Sequence, residues 1–452
     1  MTTRELSPAR DAGDKKRATS TVAPLELLRG LASLNVFVWH LINTKIPVVH
    51  IPGLYYAVAW SRESVIVFFV LSGYVICLSQ ERKHRDAGPF FLARIKRICP
   101  IYWVALIAAL GAALLMGAPY TPWQYVGHLL FLQSYEGSVV MPLSTDGPLW
   151  SLGTEFEFYM VFTLVLFCRR PGLMLVWWFM AIAAMLVRHA GYFGTGVEAL
   201  FLEFLSLSPC WLLGCFMAGL KNKSRHLSFY QALALFSMMP LVSWSDLYSA
   251  PIPREGYDGL RCYFLALLVM PLIDTLAKRQ LHPESKPVRH GWPLVAVVYV
   301  VLSLYESTHS TNTVFMRYVI LALPPVLCLF VYGLSLFKHR FNRDLLTRIA
   351  LFMGASSYAL YAIHTPFLRL VPYFISNHYL QLPILLLLVV TSVLLLEYVF
   401  QPWAARGIDR LHRAFMSLPL LRVKPAAGQA PLPRAKSRST AEPKRTTDSL
   451  PR

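Results

Sequence analysis

Charge is scarce in this sequence. Charged residues fill only 15% of its 452 positions, against about 25% in a soluble domain. Acidic residues are the scarcer kind, 24 against 43 Lys and Arg, which leaves a net charge of +19. Such a balance raises the question of nucleic acid, but no basic stripe with interleaved aromatics exists outside the apolar runs, so no nucleic-acid partner is expected. A CxxC pair is also missing. The seven cysteines (Cys77, Cys99, Cys168, Cys210, Cys215, Cys262 and Cys328) sit in or beside apolar segments, and the spacing indicates neither a zinc site nor a disulfide framework. They read as small buried hydrophobes, and no metal is expected. No cleavable leader is expected either. Residues 1–20 are polar, with Lys15, Lys16 and Arg17 just before the first apolar run, and that run is too long and lacks a small-residue cleavage site. Internal repeats and loops long enough to fold alone are absent, so any chemistry must sit in or at the apolar body.

What is present is apolar sequence, 56% of the chain. It gathers into about twelve segments, near 25–43, 62–79, 98–117, 149–168, 172–190, 199–220, 228–245, 259–276, 292–306, 314–336, 352–375 and 380–402. The expected fold is all-α, a polytopic helical bundle with about 10–12 membrane-spanning helices. Alternate loops are basic: QERKHRDAGPFFLARIKR, then Arg169 and Arg170, KNKSRH, AKRQLHPESKPVRHG and FKHRFNRDLLTR. The intervening ones, such as GSVVMPLSTDG and ESTHSTNT, carry few or no basic residues. The bias predicts that both termini are cytoplasmic. Residues 1–22 and 420–452 are polar and basic and are expected to be disordered tails around a membrane domain at 23–405.

Ionisable residues inside membrane spans are costly, and each is a functional candidate. Arg29 and His40 lie in the first segment, eleven residues apart. That spacing returns to within about 20° of the same face, with about 16 Å between them along the axis. Arg94 and Arg97, with Lys96 between them, are spaced i, i+3 in the loop leading into segment three, where two planar guanidiniums suit bidentate phosphate binding. PLWSLGTEFEFYMVF opens segment four and puts Ser151, Glu155 and Tyr159 on one face, next to Trp150. In segment eleven, Ser357, Tyr361 and His364 share a face, with Tyr358 adjacent. Taken singly, each group has a structural explanation: a snorkelling Arg, a hydrogen-bonded His, a helix-terminal acid, or polar residues that glue helices in lipid.

In order along the chain, these groups resemble the bacterial acyltransferase-3 family of membrane-bound O-acyltransferases, over about residues 23–403. The resemblance rests on Arg-x10-His at Arg29 and His40, FFVLSGYVI at 68–76, and Arg-x-x-Arg-Ile at 94–98 followed by Pro100 and Tyr102. WSL-x-x-Glu-x-x-Phe-Tyr at 150–159 and SYALYAIH at 357–364 complete it. Two departures are visible. Phe156 follows Glu155 where Glu-Glu is usual, and the closing Glu-Lys/Arg-Pro is here Phe400-Gln401-Pro402, with Glu397 nearby.

The resemblance implies transfer of an acyl group, usually acetyl, from cytoplasmic acyl-CoA to a hydroxyl of an extracytoplasmic glycan, by an enzyme of the bacterial inner membrane. Acyl-CoA would be a co-substrate, with no bound cofactor. Arg94, Arg97 and Arg29 would hold its phosphates. His40 would act as the general base, with Glu155 orienting it or stabilising its charge. Trp150, Ser151, Tyr358, Tyr361 and His364 would line the acceptor site or stabilise an oxyanion. The rival reading from another class is a transporter or flippase of a lipid-linked or small-molecule substrate.

Overall fold

The computed structural model describes residues 8–44, 61–83, 86–136, 139–220, 259–279 and 343–417, with isolated positions at 46 and within 232–239; side chains of the first helix are described from Ala23 onward. The described residues form helices: α1 (Pro8–Ile42), α2 (Ser61–Lys83), α3 (Ala87–Met116), α4 (Pro122–Leu129), α5 (Leu149–Cys168), α6 (Gly172–His189), α7 (Gly196–Gly219), α8 (Gly259–Arg279), α9 (Arg343–Phe374) and α10 (His378–Leu394). A π-helical turn, Leu395–Phe400, then leads into α11 (Gln401–Met416). Among the described residues, nine stretches are long and apolar enough to cross a membrane: α1 from Ala23, α2, α3, α5 to α9, and the continuous run His378–Met416. The protein is thus an all-α, multi-pass membrane protein. The expected segments at 228–245, 292–306 and 314–336 lie outside the described residues, apart from a few positions in the first, as does the expected tail at 420–452. Helix α1 begins at Pro8, inside the stretch that composition assigns to a tail.

Lipid offers no hydrophobic drive for helix association, so close packing must supply it. Two crossings show how. Where α2 meets α7, a methyl group on Gly73 would overlap the Trp211 carbonyl, and one on Gly214 would overlap the Val70 carbonyl. Where α1 meets α9, Gly30 packs on Met353 and Gly354 on Glu26, and Ser33 Oγ donates to the Ser357 carbonyl at 2.8 Å. The first crossing also corrects the cysteine reading. Cys77, one turn beyond Gly73, and Cys215, next to Gly214, form a disulfide with their Cα atoms 5.1 Å apart. Sequence spacing could not show this pair, because it depends on how closely the glycines let two distant helices approach.

A second difference is local. Helix α3 starts at Ala87, eleven residues before the expected segment, so Arg94 and Arg97 are helical residues and not loop residues. Pro100 stands inside this helix. Its missing N–H leaves the carbonyl four residues earlier without a donor. Gln401 Nε2 supplies one, donating to the Lys96 carbonyl at 2.6 Å and the Arg97 carbonyl at 3.2 Å. The short α4 is set by its own sequence: Thr121 and Gln124 form a reciprocal capping box, with Pro122 in the first turn. Leu149, Phe158 and Trp211 are buried at the helix contacts, whereas Ile107, Phe167, Phe179 and Leu387 face outward as lipid-facing surface would.

The structure divides into two compact units. Met1–Ala405 holds everything described below, and the second unit is Arg406–Arg452.

Candidate active site

Two cavities enter the helical body. One, of about 90 Å³, is lined by Arg29, Arg97, Ser151, Glu155, Tyr358 and Tyr361, with Ser72, Tyr159, Ser357 and an apolar remainder including Phe68, Phe69 and Ile98. The other, of about 330 Å³, is lined by His40, Trp39, Arg62, Tyr135, Trp150 and Tyr361, with Pro142, Gly147 and Pro148. Val65 and Tyr361 border both. Helix α1 explains the pairing: Arg29 and His40 share a face, and each reaches a different cavity along it.

In the smaller cavity, Arg97 donates to Glu397 at 2.5 Å and to the Ala355 carbonyl at 3.2 Å, and its guanidinium lies 5.6 Å from the Tyr358 ring centre. Arg29 pairs with Glu26 one turn earlier at 3.2 Å. Arg94 does not line the cavity. It stacks over the Phe90 and Tyr159 rings at 5.6 and 5.8 Å. The i, i+3 spacing makes neighbours of Arg94 and Arg97, but only Arg97 reaches the opening.

Glu155 is not brought to His40. It accepts a short hydrogen bond from the Tyr159 hydroxyl. That hydroxyl proton being committed, Ser72 Oγ donates to Tyr159 at 2.7 Å, and Trp211 Nε1 donates to Ser72 at 3.4 Å. A directional chain of donors therefore ends on the Glu155 carboxylate. The expected contact of Glu155 with the His40 ring is replaced by this chain, because α5 presents Glu155 to one cavity and α1 presents His40 to the other.

His40 meets His364 instead. His40 Nδ1 lies 2.8 Å from His364 Nε2, and the rings are nearly coplanar, at 12°. His364 Nδ1 in turn lies 2.9 Å from the Tyr361 carbonyl and 3.0 Å from that of Leu360. His364 is fully buried and borders neither cavity. Tyr358 donates its hydroxyl to the Ile98 carbonyl at 3.0 Å, which commits the proton that an oxyanion would need. Ser151 and Tyr361 are hydrogen-bonded to each other at 2.6 Å, and both lie within reach of the Pro148 carbonyl, at 3.1 and 3.3 Å. This pair stands at the boundary of the two cavities. Trp150 borders the larger one and meets Tyr135 edge to face.

Sequence reasoning missed several of these groups. Glu397, set aside because the closing motif departs from its usual form, is the ion-pair partner of Arg97. Tyr135 and Pro142 wall the larger cavity from a segment with no motif. That segment is tied down by Glu203, whose carboxylate accepts from the backbone N–H of Tyr135 at 2.8 Å and of Glu136 at 3.4 Å, and by Arg188, which pairs with Glu136. Within it, burial pushes the Asp146 carboxyl well above the usual carboxylate range. A buried Glu on α7 and a buried Arg on α6 were the available signal, since intramembrane charges need partners.

Two cavities meeting inside a multi-pass helical body suit either a membrane-embedded transferase or a transporter, the two readings that the sequence leaves open. Comparison with known proteins makes the class definite. The family described as "Acyltransferase domain" matches residues 22–400, and the chain belongs to it, the acyltransferase-3 family of membrane acyltransferases. The chain is also similar to the exopolysaccharide production protein ExoZ of Rhizobium meliloti, at 32% identity over 111 residues. That stretch is 24% of this chain and 34% of the relative, so the match spans about a third of the relative's length. No solved structure matches the chain.

Proposed function

We propose that this protein is an acyl-CoA-dependent O-acyltransferase of a bacterial inner membrane. In this reading it moves an acyl group, acetyl above all, from cytoplasmic acyl-CoA to a hydroxyl of an extracytoplasmic glycan. The observation that carries the proposal is the pair of cavities meeting at Val65 and Tyr361, one lined by Arg29 and Arg97 and the other by the His40 imidazole together with Arg62. The basic loops support a cytoplasmic position for the Arg29 and Arg97 end. A CoA phosphate is a natural partner for Arg97 and Arg29, because a guanidinium fork matches phosphate geometry. The pantetheine arm is roughly half as long as the ~30 Å hydrocarbon core is thick. It would span the interval of about 16 Å along α1 and bring the thioester to the partition. The acceptor enters the larger cavity from the other side, past Trp150 and Tyr135.

The reaction balances with His40 as base. His40 takes the proton of the acceptor hydroxyl as the oxygen adds to the thioester carbonyl; the C–S bond then breaks, and the proton leaves on the CoA thiolate. Ser151 and Tyr361 are the hydroxyls nearest the boundary, and one of them would have to turn from its present partner, the other hydroxyl or the Pro148 carbonyl, to donate to the oxyanion. A polysaccharide acceptor is supported by the similarity to a protein of exopolysaccharide production.

The test is made in the native host. The gene product is deleted, then restored as wild type or as His40→Ala, and surface and secreted glycans are compared by proton NMR for O-acyl signals. The expected result is an ester signal that disappears on deletion and returns with wild type but not with His40→Ala. Unchanged glycan esters in the deletion strain would remove the glycan from the proposal and favour a small-molecule acceptor or the transporter reading.

A further inference from the structure

The hydrogen-bond geometry around His364 settles more than proximity. A carbonyl oxygen only accepts, and His364 Nδ1 lies 2.9 and 3.0 Å from the carbonyls of Tyr361 and Leu360. Nδ1 therefore carries the proton. A neutral imidazole has one N–H, so His364 Nε2 holds a lone pair and accepts. Its partner at 2.8 Å is His40 Nδ1, which must then be the donor. The single N–H of His40 is used in this bond, and its Nε2 is left with a lone pair. His40 borders the larger cavity, so that lone pair is the one available to an acceptor hydroxyl.

The neutral state of His364 follows from its surroundings. The ring is fully buried, with the Phe37 ring edge-on at 6.0 Å and Tyr361 at 6.2 Å. Both nitrogens are matched to neutral partners, and a buried imidazolium would forfeit solvation without a carboxylate in this set to offset it. The opposite arrangement, with His364 Nε2 as donor, would put the His40 proton on Nε2 and abolish the base.

We infer that His364 is the positioning residue of the transfer reaction: it fixes His40 in the Nδ1–H tautomer and holds the imidazolium that forms when His40 takes the hydroxyl proton. It thus does for His40 what a buried carboxylate does in other base-assisted acyl transfers, with a backbone carbonyl at the far end of the relay in place of a charge. When His40 is protonated, its Nδ1–H bond to His364 becomes charge-assisted and stronger. This inference rests on the acyl-transfer reading, because the tautomer matters only where His40 acts as base. It replaces the expected roles of Glu155 as partner of His40 and of His364 as acceptor-site residue.

Two measurements test it on the full-length protein. The first is ring-nitrogen NMR of histidine-labelled wild type, with the His40 signals assigned by their loss in His40→Ala. Nδ1 protonated and Nε2 unprotonated is the expected result; the reverse tautomer at His40 overturns the inference, whatever the enzyme's activity. The second is steady-state kinetics with acetyl-CoA and the glycan fraction of the deletion strain as acceptor. His364→Leu lacks an acceptor for His40 Nδ1, and kcat is expected to fall by about 100-fold or more, with the KM for acetyl-CoA changed by less than about threefold. His364→Gln retains an acceptor oxygen and is expected to recover to within about tenfold of wild type. A His364→Leu enzyme with wild-type kcat, or a His364→Gln enzyme no better than His364→Leu, overturns the inference. Absence of transfer by wild type itself would instead remove the acyl-transfer reading, while the nitrogen spectrum would still decide the tautomer.

Discussion

Arg97 enters its cavity with the guanidinium already engaged. Glu397 takes one side, the Ala355 carbonyl another, and the ring of Tyr358 lies beneath. A planar fork can satisfy all three and still present an N–H edge to a phosphate, whereas an ammonium cannot. Arg97→Lys is therefore expected to raise the KM for acyl-CoA by about tenfold, about 1.4 kcal/mol, with a smaller change in kcat. Initial rates over a range of acyl-CoA concentrations check this, and an unchanged KM would put the phosphates elsewhere. Arg94 makes the complementary point at the same scale. Its place against Phe90 and Tyr159 is a packing role in this structure, reached through a spacing that looks identical in sequence.

Among the elements, the segment between α4 and α5 walls the larger cavity without regular structure of its own. It depends on Glu203 of α7, whose two oxygens receive the backbone N–H groups of Tyr135 and Glu136. Glu203→Ala removes both acceptors from two part-buried backbone N–H bonds, at a cost of about 1 kcal/mol. The expected outcome is a lower melting temperature in detergent together with a raised KM for the acceptor and an unchanged KM for acyl-CoA. A uniform loss of both affinities would show that the segment serves the whole body and not one cavity. The π-helical turn after α10 belongs to the same scale. It carries Glu397 and precedes Gln401, so it places one side chain on the Arg97 guanidinium and another on the carbonyl freed by Pro100.

For the whole molecule, the question is sidedness. The proposed acyl transfer across the membrane requires the two cavities to open on opposite faces, with the Arg97 end inside. Arg169, in the turn between α5 and α6, and Tyr192, in the connection from α6 to α7, are both exposed and lie at opposite ends of α6. In a Cys168→Ser background, Arg169→Cys is expected to react with a membrane-impermeant thiol reagent only in inverted vesicles, and Tyr192→Cys only in intact spheroplasts. The converse pattern would reverse the orientation and detach the guanidinium cavity from cytoplasmic acyl-CoA.

The sequence by itself determined the membrane class and the spans that the structure describes. The length of an apolar run is a local property, and a run of about 20 apolar residues has few alternatives to a helix in lipid. It also determined which residues share a helix face, such as Arg29 with His40 and Tyr361 with His364, because a period of 3.6 residues is local as well. Only the tertiary structure decided what those faces meet. His40 and His364 are 324 residues apart, Arg97 and Glu397 are 300 apart, and Cys77 and Cys215 are 138 apart. Each pair depends on which helices cross and how closely their small residues let them approach. The order of motifs named the family, but the partner of His40, the place of Arg94 outside the cavity and the pairing of Glu397 with Arg97 arise from packing between distant helices, where local periodicity carries no information.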